Sequence, residues 1–179
     1  MNQIESQMNK LRLQGMAKSW SALLHSRKNH ELSLQDGLEL LLQAEEEERD
    51  NRRFQRLQHS AAFRYKTSLE EISLDAARGL DKNVIASLST CSFISKGDAI
   101  LITGATGCGK SYLASALGHQ ACLLGFKVAY FNTQKLLLKT KMARLEGTIL
   151  KLMDKLSKTE LIILDDFGLT HFEKQQQMD

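Results

Sequence analysis

Gly104-Ala105-Thr106-Gly107-Cys108-Gly109-Lys110-Ser111 decides the fold. The octet fills every fixed position of the phosphate-loop pattern G-x-x-x-x-G-K-[ST], the Walker A form. Ahead of it, Ala99-Ile100-Leu101-Ile102-Thr103 reads as a short buried strand; behind it, Tyr112-Leu113-Ala114-Ser115-Ala116-Leu117 opens a helix. Strand, glycine-rich turn and helix start together make an anion site, because backbone N–H groups and the positive end of the helix dipole converge there. The glycines allow positive φ and bring amides close to oxygen. Lys110 is the expected cation for the β and γ phosphates, and the Ser111 hydroxyl the expected magnesium ligand. The ligand class read from these residues is a nucleoside triphosphate with Mg2+, held by Gly104 to Ser111 together with Tyr112.

A second stretch, Leu161-Ile162-Ile163-Leu164-Asp165-Asp166, is an apolar run that ends in two carboxylates. Four apolar residues in a row suit a parallel strand buried on both faces. Acids at the C-terminal end of such a strand lie where open α/β folds bind ligands. In that setting Asp165 supports the metal and Asp166 orients or deprotonates the attacking water, the Walker B role. Taken alone, the pair also fits an ordinary Asp-rich turn.

The chain has 179 residues, 42% hydrophobic and 25% charged, in the range of globular proteins. No apolar run is long enough to cross a membrane, and the N-terminus carries no signal-peptide core, so no membrane partner is expected. Cys91, Cys108 and Cys122 are odd in number and far apart, which points to reduced thiols in a cytoplasmic setting and against disulfides or a zinc site. The net charge of +3 neither demands nor excludes nucleic acid. The absence of proline is consistent with long helices.

Residues 2 to about 28 read as one amphipathic helix, on the spacing of Ile4, Met8, Leu11, Met16, Trp20, Leu23 and Leu24, with Trp20 a packing residue. A second helix starts after Ser33, its N-cap, with Asp36 three residues on and an apolar face of Leu34, Leu38, Leu41 and Leu42. It continues through the Glu45–Glu48 run into Arg49, Arg52, Arg53 and Arg56, which share one face. From Arg49 to Lys66 the basic residues Arg49, Arg52, Arg53, Arg56, Arg64 and Lys66 outnumber the single acid Asp50. Two readings fit: a grip on DNA phosphates, or a solvated face laced by Glu45–Arg49 and Glu48–Arg52 pairs. Composition alone favours the solvated face. Downstream, short helices are expected near 68–72 and 81–88, and a turn at 95–98. Next come a helix from Lys110 stopped by Gly125, and a strand at 128–131. They are followed by a helix from Thr133, its candidate N-cap, to about Leu145, a helix near 148–157, and the acidic strand.

The runs Ile100 to Gly118, Gly125 to Thr133 and Leu161 to Gly168 resemble the IstB-like ATP-binding proteins, the helpers of certain bacterial insertion sequences. These are AAA+ ATPases similar to DnaC-type helicase loaders. Glu45 to Phe63, with Lys66 and Leu69-Glu70, resembles the approach to the core in that family, so the likeness covers nearly the whole chain. Asp-Asp-Phe-Gly is its more specific part, since many NTPases share the loop. The resemblance implies ATP as the nucleotide, homo-oligomeric assembly on DNA, and activation of a partner transposase. It also shifts Arg49, Arg52, Arg53 and Arg56 toward DNA contact. Ala105 and His171 stand where members often have proline. The family goes on to a sensor strand, an arginine finger and a helical lid, which these 179 residues do not include. The expectation is a C-terminally truncated member, with an open slot between strands 99–103 and 161–164, that binds nucleotide better than it hydrolyses it.

The expected fold is therefore α/β, an AAA+ type P-loop NTPase core with a parallel sheet incomplete at its C-terminal end, behind a helical N-terminal region. Residues 1–66 are assigned to DNA or partner interaction, 67–98 to a linker with short helices, and 99–179 to the partial ATPase core. The expected role is an ATP-binding helper of DNA transposition. A helicase loader and a non-hydrolysing remnant are the alternatives, and ATP hydrolysis itself stays open. A small-molecule P-loop kinase would instead place strand 161–164 directly beside strand 99–103.

Overall fold

The computed structural model describes residues 3–26, 32–73 and 80–168. Expectations for residues 2, 27 and 28, and for everything past Gly168 including His171, lie outside the described residues. Two compact units divide within one long helix: Met1–Gln55 and Arg56–Asp179.

In the first unit, the single helix expected over 2–28 is two: α1 (Gln3–Lys10) and α2 (Gln14–His25). The break is a helix-terminating turn. Arg12 takes φ 61°, and Arg12 N and Leu13 N bond back to Asn9 O at 3.0 Å and Met8 O at 2.8 Å. Glycine is the usual residue at that left-handed position, so an arginine there gave no signal. The next helix, α3 (Leu34–Ala61), begins as expected: Asp36 N donates to Ser33 Oγ at 3.2 Å, and Ser33 Oγ donates to Asp36 Oδ2 at 2.6 Å. Its expected apolar face is covered only in part among the described residues. Leu41 is buried, while Leu34, Leu38 and Leu42 are exposed.

Helix α2 lies against α3 at Gly15. A β-carbon there would fall 2.2 Å from Ala44 O and 2.6 Å from Glu45 Cα, so only glycine permits the approach. Glu45 is buried at this contact, and its Oε2 accepts from Gly15 N at 2.8 Å and Met16 N at 3.3 Å. Those are N–H groups of the first turn of α2, which have no partner inside their own helix. Burial raises the Glu45 carboxyl, but the bonds from Arg49, Met16 and Gly15 outweigh it and hold the group below its ordinary value.

The second unit takes in the C-terminal end of α3, then a single 3₁₀ turn (Leu69–Glu71), α4 (Lys82–Ser89), α5 (Ser92–Lys96) and α6 (Lys110–Leu123). After these come β1 (Val128–Asn132), α7 (Thr133–Leu145), α8 (Ile149–Ser157) and β2 (Leu161–Asp165). β1 and β2 pair in parallel, Val128 opposite Leu161 through Asn132 opposite Asp165. A parallel pair joined by helices is the α/β arrangement the sequence implies. Helix α6 buries Ala116, Leu117, Ala121 and Cys122. Gly118 lets Phe63 and Ile163 close onto it, since a β-carbon would lie 2.5 Å from Phe63 Cε1 and 2.7 Å from Ile163 Cδ1. Gly125 ends the helix as expected: Gly125 N bonds Cys122 O at 3.0 Å and Phe126 N bonds Ala121 O at 2.9 Å.

Four expectations change. Residues 99–103 form no strand: no described segment offers them a ladder, and Leu101 is 81% exposed. β2 is not buried on both faces, because Ile162 and Leu164 alternate outward. The expected turn at 95–98 begins two residues later, because Ser95 and Lys96 belong to α5. The cap of α7 is Asn132, whose Oδ1 accepts from Lys135 N at 3.2 Å; Thr133, expected there, bonds elsewhere. No helix among the described residues is long and apolar enough to cross a membrane.

Candidate functional site

The glycine-rich loop runs from Gly104 into the first turn of α6. Gly104, Gly107 and Gly109 have φ 153°, 80° and 94°, so the loop uses backbone open to glycine. Gly109 is the residue before the helix, and Lys110 and Ser111 are its first two positions. The Lys110 ammonium is held over the loop by Gly104 O at 2.9 Å and Ala105 O at 2.8 Å. A phosphate binding at the loop would compete for this cation. Cys108 is exposed at the loop tip, whereas Cys91 and Cys122 are buried, and burial raises both of those thiols, Cys122 to about 11. No disulfide joins them.

The acids come to the same place from the other end of the unit. Ser111 Oγ donates to Asp165 Oδ1 at 2.7 Å. Tyr130 Oη donates to Asp165 Oδ2 from the neighbouring strand. Thr133 Oγ1 donates to the Asp165 backbone carbonyl at 2.8 Å. Burial raises the Asp165 carboxyl, but the bonds from Tyr130, Ser111, the Asp166 backbone N–H and Arg64 more than offset it and keep it below its ordinary value. Burial and then the bond to Asp165 push the Tyr130 phenol strongly upward, so it stays a protonated donor.

Asp166 takes a left-handed backbone, φ 56°, and its Oδ2 accepts from Asn132 Nδ2 at 2.7 Å. Asn132 therefore caps α7 through Oδ1 and holds Asp166 through Nδ2. A non-glycine left-handed residue at a strand end is the kind of strained position found at functional sites.

Ser111 Oγ and Asp165 Oδ1 are adjacent oxygen donors suited to a hard divalent ion. Magnesium is commonly held by one or two protein oxygens together with substrate phosphates and water. No group of three or more His, Cys, Asp or Glu able to hold a metal occurs among the described residues.

Sequence reasoning missed the segment that follows α3. Ala62 turns the chain with φ 56°. Phe63 then packs edge-on to Tyr130, ring centres 6.3 Å apart. Arg64 Nη1 reaches Asp165 Oδ2 at 3.2 Å and Asp166 Oδ2 at 3.7 Å. Tyr65 lies against Tyr112, centres 5.9 Å apart, and Tyr112 Oη donates to Glu71 Oε2 at 2.9 Å. Arg64, counted by sequence with the basic run, is thus placed on the acid pair. Composition could not separate it from its neighbours.

Residues 6–179 match the family described as IstB-like ATP binding protein. The chain belongs to this family. Among its IstB-like relatives is a protein of insertion sequence IS1162 from Pseudomonas fluorescens, named for ATP binding. It is 37% identical over 97% of this chain and 76% of its own length. A Sinorhizobium fredii insertion-sequence protein, likewise named, is 34% identical over 96% of this chain and 70% of its own. One from IS5376 of Geobacillus stearothermophilus is 30% identical over 92% and 66%. β2 pairs with β1 along one edge, and among the described residues no strand at 99–103 pairs with it.

Arg49 Nε donates to Glu45 Oε1 at 2.7 Å, and Arg52 lies 3.6 Å from Glu45 Oε1 and 3.9 Å from Glu48 Oε1. The pairs anticipated for a solvated helix face are therefore present. Arg53 and Arg56 are exposed.

Proposed function

We propose that this IstB-like chain binds ATP with Mg2+ at the 104–111 loop, assembles on DNA in a nucleotide-dependent way, and activates a partner transposase. The observation that carries the nucleotide part is the direct bond from Ser111 to Asp165, next to Lys110. It joins loop hydroxyl, loop cation and strand-end acids at one helix start. The loop amides and Lys110 bind the phosphates; Tyr112 follows Ser111 in the same first turn. Ser111 and Asp165 would hold Mg2+, which when bound would neutralise phosphate charge. Asp166, oriented by Asn132, accepts a proton from the attacking water. The relatives' names support ATP as the nucleotide.

The DNA part rests on the exposed basic face of α3. Arg49, Arg52, Arg53 and Arg56 supply phosphate contacts, a phosphate taking the place of a present partner such as Glu45 at Arg49. Homo-oligomeric assembly would gather such faces along the duplex.

The test is binding of a fluorescent ATP analogue. Lys110→Ala removes the loop cation and is expected to abolish binding; unchanged affinity would overturn the nucleotide site. Co-purification with a candidate insertion-sequence transposase, retained with ATP and lost in Lys110→Ala, checks the partner.

A further inference from the structure

We propose that Arg64 is the resident counter-cation of the Asp165–Asp166 pair and that a divalent metal must displace its charge, so Arg64 sets the metal requirement of the site. This rests on the metal role proposed above for Ser111 and Asp165.

One guanidinium nitrogen bridges the two carboxylates, 3.2 Å from Asp165 Oδ2 and 3.7 Å from Asp166 Oδ2. Asp165 Oδ1 is turned the other way, to Ser111. The carboxylate is therefore shared between a loop hydroxyl on one oxygen, and Tyr130 with Arg64 on the other. A divalent ion placed beside Ser111 and Asp165 puts like charge close to the guanidinium. Across a half-exposed site that repulsion is modest but real, and it opposes metal entry. Arg64 has somewhere to go, since it is 51% exposed.

Its neighbours make it a joint rather than a loose surface charge. Phe63 is seated against Tyr130 and α6, and Tyr65 against Tyr112 in the first turn of α6. The guanidinium carbon lies 5.6 Å from the Tyr65 ring centre. The side chain can leave the acids while the backbone on each side stays anchored. Arg64 is a positioning residue: it acts through the acids it contacts.

The experiment is Mn2+ titration without nucleotide, following loss of the free-ion electron paramagnetic resonance signal. Arg64→Gln and Arg64→Ala are expected to bind Mn2+ about 2- to 5-fold tighter than the parent, the scale of one partly exposed charge pair. Arg64→Lys keeps the charge and is expected to match the parent. If Arg64 merely props the acids in place, the neutral variants bind Mn2+ more weakly, which overturns the proposal, as does unchanged affinity. Uptake that persists in Asp165→Asn lies elsewhere and overturns it too. Absence of Mn2+ uptake in every protein would also overturn it. Lys110-dependent binding of the ATP analogue in metal-free buffer would still leave the nucleotide reading standing.

Discussion

Ser111 Oγ and Asp165 Oδ1 are 2.7 Å apart although 54 positions separate them in the chain. The first residues of α6 and the last residue of β2 thus share one hydrogen bond, and a change at either is felt at the other. Asp165→Asn keeps an acceptor for Ser111 but removes the charge. ATP-analogue affinity with Mg2+ is expected to fall about tenfold or more, with little change in metal-free buffer. Isothermal titration with and without Mg2+ checks this.

Gly118 is where α6 meets both Phe63 and Ile163. The added methyl of Gly118→Ala would fall within 3.0 Å of both side chains. Overpacking of this kind costs about 1–3 kcal/mol. A urea-unfolding midpoint equal to the parent's would show that the packing yields freely.

Glu45 gives the first unit a pH dependence of definite sign. Its carboxyl is held below the ordinary value of 4.5 in the folded chain. The stabilisation is therefore complete above the unfolded value and is lost as pH falls through the lower folded one. Glu45→Gln is expected to cost about 1 kcal/mol near neutrality, as loss of a helix cap does. Its deficit against the parent should shrink between about pH 5 and pH 3. Thermal melts across that range decide it, and a constant deficit would refute the charge argument.

The Arg53→Ala, Arg56→Ala double substitution tests the DNA role without disturbing the Glu45 pairs. Affinity for duplex DNA is expected to fall across sequences alike, and the salt slope to flatten by about 2. If both stay unchanged in fluorescence anisotropy, this part of α3 is a solvated face.

The legible parts of this IstB-like chain were those written in local code. The ends of α6, the cap at Ser33, the strand at 128–132 and the loop octet are each specified within a few residues by glycine, hydroxyl or apolar period. The break at Arg12 escaped because arginine occupied a position where glycine is the usual signal. The strand expected at 99–103 failed for another reason. An apolar run records a preference for burial, but a strand also requires a partner's backbone, and none of the described segments supplies one.

Residue type and spacing alone placed a glycine-rich loop at Gly104 to Ser111 on a helix start, and acids after an apolar strand. Only the tertiary structure decided that Asp165 meets Ser111, that Asn132 holds Asp166, and that Arg64 faces the acids instead of joining the basic helix face. The physical reason is range. Backbone conformation and capping are settled between near neighbours. Which carboxylate receives which donor depends on the register of β1 against β2, and on where Phe63 finds room beside Gly118.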